Sequence, residues 1–508
     1  MLKLQACSYD NTEQQQSDGT SSSADDSPVF LHDPYGEPSS HSDHGGSISS
    51  LHATTDIPPI QTFEEILSDP QLRQTLLSEF LKYSADIGFF LNEDEIFDSV
   101  MSMNTSHRAT PIGPALVSTV FLIASHFTSY PQIADLEPVL LLKTKEQRSQ
   151  LLFGTGTNHP GWAVLQNIQT HVLFAQYFLA TGCNAEGKDS LANAVSLVLS
   201  AGMHRIGSEE HFAFVAAGPA EESSDTQASK EYNQSTSAFW TVLSLNSCWT
   251  AVETEDSKTH FPYWMPEFRV DTPWPQVPVD ASSGSTIQKF LVQVPDAGNS
   301  AMALHAKACI LLEQASQLGK RYDSNTTLDP SSHQDFINIL DNLLSLTTRF
   351  IAGLPRPPSN QQAEHGDYGS LPSSTKRQFL VIHTLARMAL IRLYSVSEII
   401  SHLDPNQRAV ARHYQVEAAK EAALMIPSAN LQQTVFVNPI MAVLWSSMAH
   451  ILSSAIRSGG QSARHNPDFL QTDLQHAFNA TIDALSVLST HSAAMKDQLM
   501  SIQLLLRY

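Results

Sequence analysis

"LQNIQTHVLFAQYFLATG" (residues 165–182) runs directly into "CNAEGKDSLANAVSLVLSAGMHRIG" (183–207), and both stretches repeat apolar residues at spacings of three and four. Such spacings place the apolar side chains on one face of an α-helix. Because only the short polar link "CNAEGK" separates the two runs, they are predicted to form an antiparallel helix pair. The inward faces are predicted to consist of Leu165, Ile168, Val172, Ala175 and Leu179, then Leu191, Ala194, Val195, Val198 and Leu199.

The second helix carries its own start and stop signals. Asp189 is predicted to cap its start, and Gly202 falls where a left-handed residue ends a helix without steric penalty. His204 and Arg205 then lie near the negative end of the helix dipole, each contributing about 0.3–1 kcal/mol. The alternative is a catalytic or phosphate-binding His-Arg pair, which is a weak signal on its own.

The same periodicity recurs along most of the chain and predicts an all-α fold, since no segment alternates like a strand. In 68–88, Ser68 is placed to cap and Pro70 fits the first turn; in 92–101, Asn92 and Glu95 have the spacing of a capping box. The stretch 114–127 is apolar nearly all round and is predicted to be buried. Further helices are predicted over 135–154, 235–254, 299–319, 331–353, 374–402, 406–426, 437–457 and 467–505.

Composition divides the chain into a tail and one large domain. Residues 1–58 are acidic and rich in Ser, Asp, Gly and Gln, and are predicted to be disordered because they offer little apolar area to bury. Residues 59–508 are predicted to form one large helical domain. Its interruptions are a polar insert at 207–235 and loops at 256–298 and 354–373.

Charge and cysteine content restrict the classes of partner. The net charge of -22 repels nucleic acid and anionic membranes. The four cysteines (Cys7, Cys183, Cys248 and Cys309) are too scattered for a disulfide framework or a zinc knuckle. No signal peptide is evident, and apolar windows such as 114–127 are too short to span a bilayer. A soluble, intracellular protein without a membrane partner is expected.

Chemical motifs are scarce. His41 and His44 have metal-ligand spacing but lie in the tail, and the glycine-rich stretches 154–161 and 187–190 lack the strand and residues of a phosphate loop. No catalytic, cofactor-binding or metal-binding residue is predicted, and the chain is not expected to be an enzyme. Among the aromatic residues, Phe239, Trp240 and Trp249 are predicted to be core; Trp264 and Trp274 either wall a pocket or pin a loop to the surface.

The order of these segments resembles the middle homology region of fungal zinc-cluster transcription factors. That family shows a Leu-Gln-rich helix, a helix ending Gly-Leu-His-Arg, a Phe-Trp helix followed by an acidic residue, and an Asp-x-Pro-x-Pro loop. The resemblance covers roughly residues 65–460 and includes the later helices at 305–319 and 437–450. The matching residues are Gly202-Met203-His204-Arg205, Phe239-Trp240 and Asp271-Thr272-Pro273-Trp274-Pro275.

Two departures qualify what the resemblance implies. Asn246 stands where the family has an acidic residue, and the six-cysteine zinc cluster that contacts DNA is missing: either the sequence starts downstream of it, or the regulator has lost it. The resemblance implies a nuclear transcriptional regulator that acts through co-regulator proteins, the transcriptional machinery or a small-molecule effector, and meets DNA only indirectly or through that missing cluster. The alternative is a non-catalytic helical scaffold or interaction protein without a direct transcriptional role.

Overall fold

The structure is a computed structural model that describes residues 63–102, 112–151, 160–207, 225–253, 268–276, 285–321, 330–355, 371–400, 404–462 and 468–506. Helices α1 to α8 are Phe63–Ser68, Pro70–Leu81, Glu93–Met101, Pro114–His126, Pro131–Ala134, Glu137–Leu151, Pro160–Ala180 and Asn184–Ser200. Helices α9 to α17 are Asp225–Val252, Thr286–Leu291, Ala301–Arg321, Pro330–Gly353, Ser373–Ile399, Pro405–Leu424, Ile440–Ser462, Asp468–Leu488 and Ala493–Leu505.

The all-α prediction is confirmed, because the described residues contain helices, turns and irregular segments but no strand. The predicted tail at 1–58, with His41 and His44, lies outside the described residues. The residues that the structure describes belong to a single compact unit, Gln61–Tyr508.

The predicted helix pair is present as α7 and α8, which pack against each other. All five predicted inward residues of α7 are buried, as are those of α8 except Leu199, which is half-buried. Gly187 lies where the two helices touch, and a Cβ atom there would stand 2.7 Å from Leu179 Cγ. The pair is therefore packed closely enough to require a residue without a side chain.

Two predicted caps are wrong. Helix α8 begins at Asn184, so Asp189 lies within it and pairs instead with Arg148, Oδ2 to Nη2 at 2.5 Å. Ser68 ends α1 and donates to a carbonyl oxygen there, whereas Asp69 caps α2 by accepting from the backbone N–H groups of residues 71 and 72. In both cases the polar side chain bonds to another group instead of to the backbone N–H groups at a helix start. Asn92 caps α3 as predicted, accepting from the backbone N–H of Glu95 at 2.9 Å.

Three predicted boundaries also change. Helix α9 begins at Asp225, inside the stretch predicted to be a polar insert, and α10 lies inside the predicted loop 256–298. The helix predicted over 467–505 is two helices, because Ser492 caps α17 and donates its hydroxyl to Ala180 O, 2.9 Å away on α7. Apolar periodicity continues across this break and hides it.

Packing is centred on the long helices. Helix α11 lies between α9 and α13, and α13 in turn packs against α14. Helix α4 is buried from Ala115 to Ser125, as predicted for its uniformly apolar sequence. These contacts enclose one side of the cavity described below.

Within the part of the chain that the structure describes, two helices are long and apolar enough to cross a membrane, Ser373–Ile399 and the stretch Ile440–Ser458 of α15. The expectation that the apolar stretches are too short to span a bilayer is therefore wrong as far as length is concerned. In the most apolar window of each, 78% and 50% of the residues are buried inside the protein. Packing against α11 and α14 accounts for the apolar character of α13.

Gly202 adopts the left-handed conformation predicted for it, with φ 68° and ψ 16°, and its N–H donates to Leu199 O at 3.0 Å. No atom lies within 4 Å of a Cβ built there, so a substitution would meet conformational strain but no clash. The predicted helix stop is confirmed.

We expect Gly202→Ala to lower the free energy of unfolding by about 1 kcal/mol and Gly202→Val to lower it by more, because only glycine adopts positive φ without cost. Urea denaturation would measure both. Gly353→Ala is the matched control, since a Cβ there also meets nothing within 4 Å and its φ is not in the left-handed region. If Gly202→Ala were as stable as the parent, the left-handed conformation at Gly202 would impose no strain on other residues.

Candidate functional site

Three segments that are far apart in the sequence meet at one place. The turn after α8, Met203–Arg205, lies against residues 271–275: the Thr272 hydroxyl donates to Met203 O at 2.5 Å and accepts from Ile206 N at 3.2 Å. The backbone N–H groups of Asp271 and Thr272 donate to His204 O at 2.9 and 3.3 Å. The Gly-Met-His-Arg turn is thus the docking point of the Asp-x-Pro-x-Pro segment.

Trp240 joins the same cluster from α9. Its Nε1–H donates to Pro273 O at 2.7 Å, and its ring stacks on Trp274 with centroids 4.3 Å apart and planes 26° apart. Lys307 of α11 places its ammonium 4.9 Å from the Trp274 ring centroid and pairs with Asp296 at 2.6 Å. Such stacking, together with a cation over the ring, fixes an aromatic side chain in position.

The aromatic predictions can now be settled for most residues. Phe239, Trp240 and Trp249 are core, as predicted. Trp274 is buried and pins its segment to the domain, which decides between the two alternatives held open for it. Trp264 lies outside the described residues.

The interpretation of His204 as a cation at the end of a helix is wrong. The side chain is buried, and burial lowers its pKa, with the neighbouring Arg205 guanidinium lowering it further. The imidazole is therefore neutral at pH 7 and brings no charge to the helix dipole. The structural contribution of His204 comes from its carbonyl oxygen, which accepts the bonds from Asp271 and Thr272.

Beside this cluster lies a cavity of about 290 Å³. Helices α9, α11 and α13 form its walls, and the segments 85–88 and 436–438 close it. Both polar and apolar side chains line the cavity. The polar ones are Gln176, Thr241, Ser244, Gln276, His305, Gln378 and Asn438. The apolar ones are Leu245, Met302, Val381, Phe436 and Val437. A concave site with a few polar groups among apolar walls is typical of small-molecule binding sites.

A buried ion pair lies in the cavity wall. Arg377 of α13 donates from Nε and Nη2 to Asp86 Oδ2 at 2.9 and 2.5 Å, and the two side chains are 10% and 7% exposed. Burial raises the pKa of Asp86, and the Arg377 guanidinium partly offsets that effect. The two charges neutralise each other, so the cavity has no net charge from this pair.

The segment carrying Asp86 is held tightly to the helices. Gln169 of α7 accepts from Phe90 N at 2.7 Å and donates to Gly88 O at 3.2 Å. Gly88 has φ +80°, and a Cβ there would lie 3.0 Å from Thr241 Cγ2. The cavity is therefore bounded on this side by fixed backbone.

A group of sulfur and nitrogen atoms lies next to the cavity. Cys248 Sγ of α9 and Cys309 Sγ of α11 are 3.1 Å apart, and His305 Nε2 lies 3.7 Å from Cys309 Sγ. Burial lowers the pKa of His305 to about 4 and raises that of the Cys309 thiol. Both groups are neutral at pH 7 in this state, so they do not form a thiolate–imidazolium ion pair.

No protein-family model matches this chain, and neither a curated protein nor a solved structure matches it. What the domain does must therefore be inferred from its own residues, the cavity and the motif cluster foremost.

Sequence reasoning identified the motif cluster but missed the cavity. The residues of the cluster were singled out one motif at a time, and the structure brings them together. Asp86 and Arg377 are 291 positions apart, and no local pattern links them. His305 and Cys309 did carry a signal, because a spacing of four residues places both on one face of a helix.

Proposed function

We propose that this chain is a transcriptional regulator of the fungal zinc-cluster type, whose helical domain binds a small-molecule effector in the cavity between α9, α11 and α13. The observation that supports the family assignment most is the convergence of its motifs: Trp240, the turn at Met203–Arg205 and residues 271–275 bond to one another across three separate segments. Motifs that recur together in a family are expected to share a structural role.

The cavity supports effector binding rather than catalysis. Its charged pair is internally neutralised, and its remaining polar groups are amides, hydroxyls and one imidazole. They suit an uncharged organic molecule that offers both hydrogen-bond donors and acceptors. Ser244 already donates its hydroxyl to Trp240 O at 2.6 Å.

Co-regulator proteins are the second class of partner in this proposal. Helix α14 exposes the apolar side chains Val410, Tyr414 and Leu424, and Ile399 is exposed at the end of α13. Val410 and Tyr414, four residues apart, lie on the same face of α14, and neighbouring exposed apolar residues are typical of protein contact surfaces. The proposed place of action is the nucleus, with contact to DNA through a partner or a zinc cluster outside this chain.

The proposal predicts that the chain, fused to a DNA-binding domain of known specificity, changes transcription of a matching reporter in a fungal cell. Ala301 lines the cavity, so Ala301→Phe places a large side chain in it. This variant is expected to change the reporter's response to growth conditions about tenfold, a typical coupling between an effector site and an output. Ala297→Phe is the matched control, because Ala297 is exposed four residues upstream.

The alternative of a helical scaffold makes a different prediction. A fusion that reaches the nucleus and leaves the reporter unchanged under every condition would favour the scaffold. An identical response from the Ala301→Phe and parent fusions would leave a regulator but remove the cavity from its mechanism.

A further inference from the structure

The thiols of Cys248 and Cys309 and the imidazole of His305 form a set of metal-ligand atoms. All three ligand atoms lie within 4.8 Å of one another. His305 and Cys309 stand one turn apart on α11, and Cys248 faces them from α9, which packs alongside. Two helices thus bring two sulfur atoms and one nitrogen atom together inside the domain.

The choice of atoms indicates the kind of metal. Thiolate and imidazole together are preferred by zinc, which takes four ligands in a tetrahedron. Two sulfur atoms, each about 2.3 Å from a zinc ion, lie about 3.8 Å apart in a tetrahedral site. The observed 3.1 Å between Cys248 Sγ and Cys309 Sγ is about 0.7 Å shorter, so the two sulfur atoms would move apart by that much on binding the ion.

The number of protein ligands and their position say what else would bind. Structural zinc sites are closed by four protein ligands, whereas sites that act on a ligand keep one position open. His305 also lines the cavity, so the cluster borders the space in which an effector would lie. The fourth ligand would therefore come from the cavity.

We propose that Cys248, His305 and Cys309 bind one zinc ion beside the cavity, leaving its fourth position for water or for a donor atom of a cavity ligand. Binding releases the two thiol protons to solvent and leaves a neutral imidazole nitrogen as the third ligand, with no change of oxidation state. The role of the open position rests on the proposed effector function; binding of the ion does not. This inference departs from the expectation, drawn from the scattered cysteines, that the chain holds no metal.

The test is zinc titration of the purified full chain in competition with a chromophoric chelator. We expect about one zinc ion per chain at this site. Loss of an outer-sphere partner already weakens metal sites about 10- to 100-fold, so Cys248→Ser, Cys309→Ser and His305→Gln are each expected to weaken binding at least about 100-fold. Cys183→Ser is the matched control and should bind like the parent, because Cys183 lies outside the cluster.

X-ray absorption at the zinc edge of the unmodified chain gives a second readout that does not depend on how the variants fold. It should report two sulfur ligands, which a histidine site at His41 and His44 cannot supply. Absence of tight zinc binding, coordination without sulfur, or a Cys248–Cys309 disulfide in place of the metal would each overturn the proposal. A chain that binds zinc and is silent in the reporter assay keeps this inference and loses the regulatory one; a responsive chain that binds no zinc does the reverse.

Discussion

Replacing Trp240 by alanine is expected to lower the free energy of unfolding by about 3–5 kcal/mol, the usual cost of removing a large aromatic side chain from a core. Trp240 is fully buried, stacks on Trp274 and donates its Nε1–H to Pro273 O. Its removal leaves a void on α9 and frees residues 271–275 from one of their anchors. Urea denaturation followed by far-UV circular dichroism would measure the loss.

Two further variants separate packing from hydrogen bonding. Trp240→Phe keeps an aromatic ring beside Trp274 but lacks the indole N–H, so it should lose less than the alanine variant. Tyr130→Ala removes an aromatic side chain that is 53% exposed and should change stability by less than about 0.5 kcal/mol. If Trp240→Ala were as stable as Tyr130→Ala, the motif cluster would not be an anchor of the fold.

Breaking the ion pair in the cavity wall should have an effect of similar size. Arg377→Met preserves the length of the side chain but leaves the buried Asp86 carboxylate without its partner, which typically costs about 3–5 kcal/mol. The same variant makes the cavity wall negative. We expect a clear fall in the denaturation midpoint at neutral pH.

The pH dependence of this loss has a definite sign. Burial raises the pKa of Asp86 above the ordinary value of 3.8, and Arg377→Met removes the guanidinium that opposes the rise. A carboxyl group whose folded pKa exceeds its unfolded pKa disfavours the folded state as pH rises through both values. The deficit of Arg377→Met relative to the parent should therefore be smaller at about pH 5 than at about pH 8.

The double variant Asp86→Asn with Arg377→Met is the control for charge. It removes both charges, so part of the lost stability should return and the deficit should no longer vary with pH over that range. A deficit that is the same at both pH values in Arg377→Met alone would show that lost packing, rather than an unpaired charge, causes the destabilisation.

Local patterns alone determined the helical class and much of its detail. Residues 165–182 and 189–200 show which side chains face inward, because the helix repeat is a property of the backbone and needs no partner to be read. The helix end at Gly202 could be predicted for the same reason, because its left-handed conformation depends only on the glycine and on the helix that precedes it. The regulatory function and nuclear location inferred from the resemblance remain predictions.

Only the tertiary structure decided where the helices meet and what their contacts enclose. Asp189 and Ser68 were wrongly predicted to be caps, because Asp189 pairs with Arg148 and Ser68 donates to the carbonyl of Glu65. The break before Ser492 accompanies a hydrogen bond from Ser492 to Ala180 on a distant helix. The cavity, its Asp86–Arg377 pair and the Cys248–His305–Cys309 cluster join segments far apart in the chain. Periodicity is local, whereas such sites arise from the packing of several helices, and a single sequence does not specify which helix faces lie opposite each other.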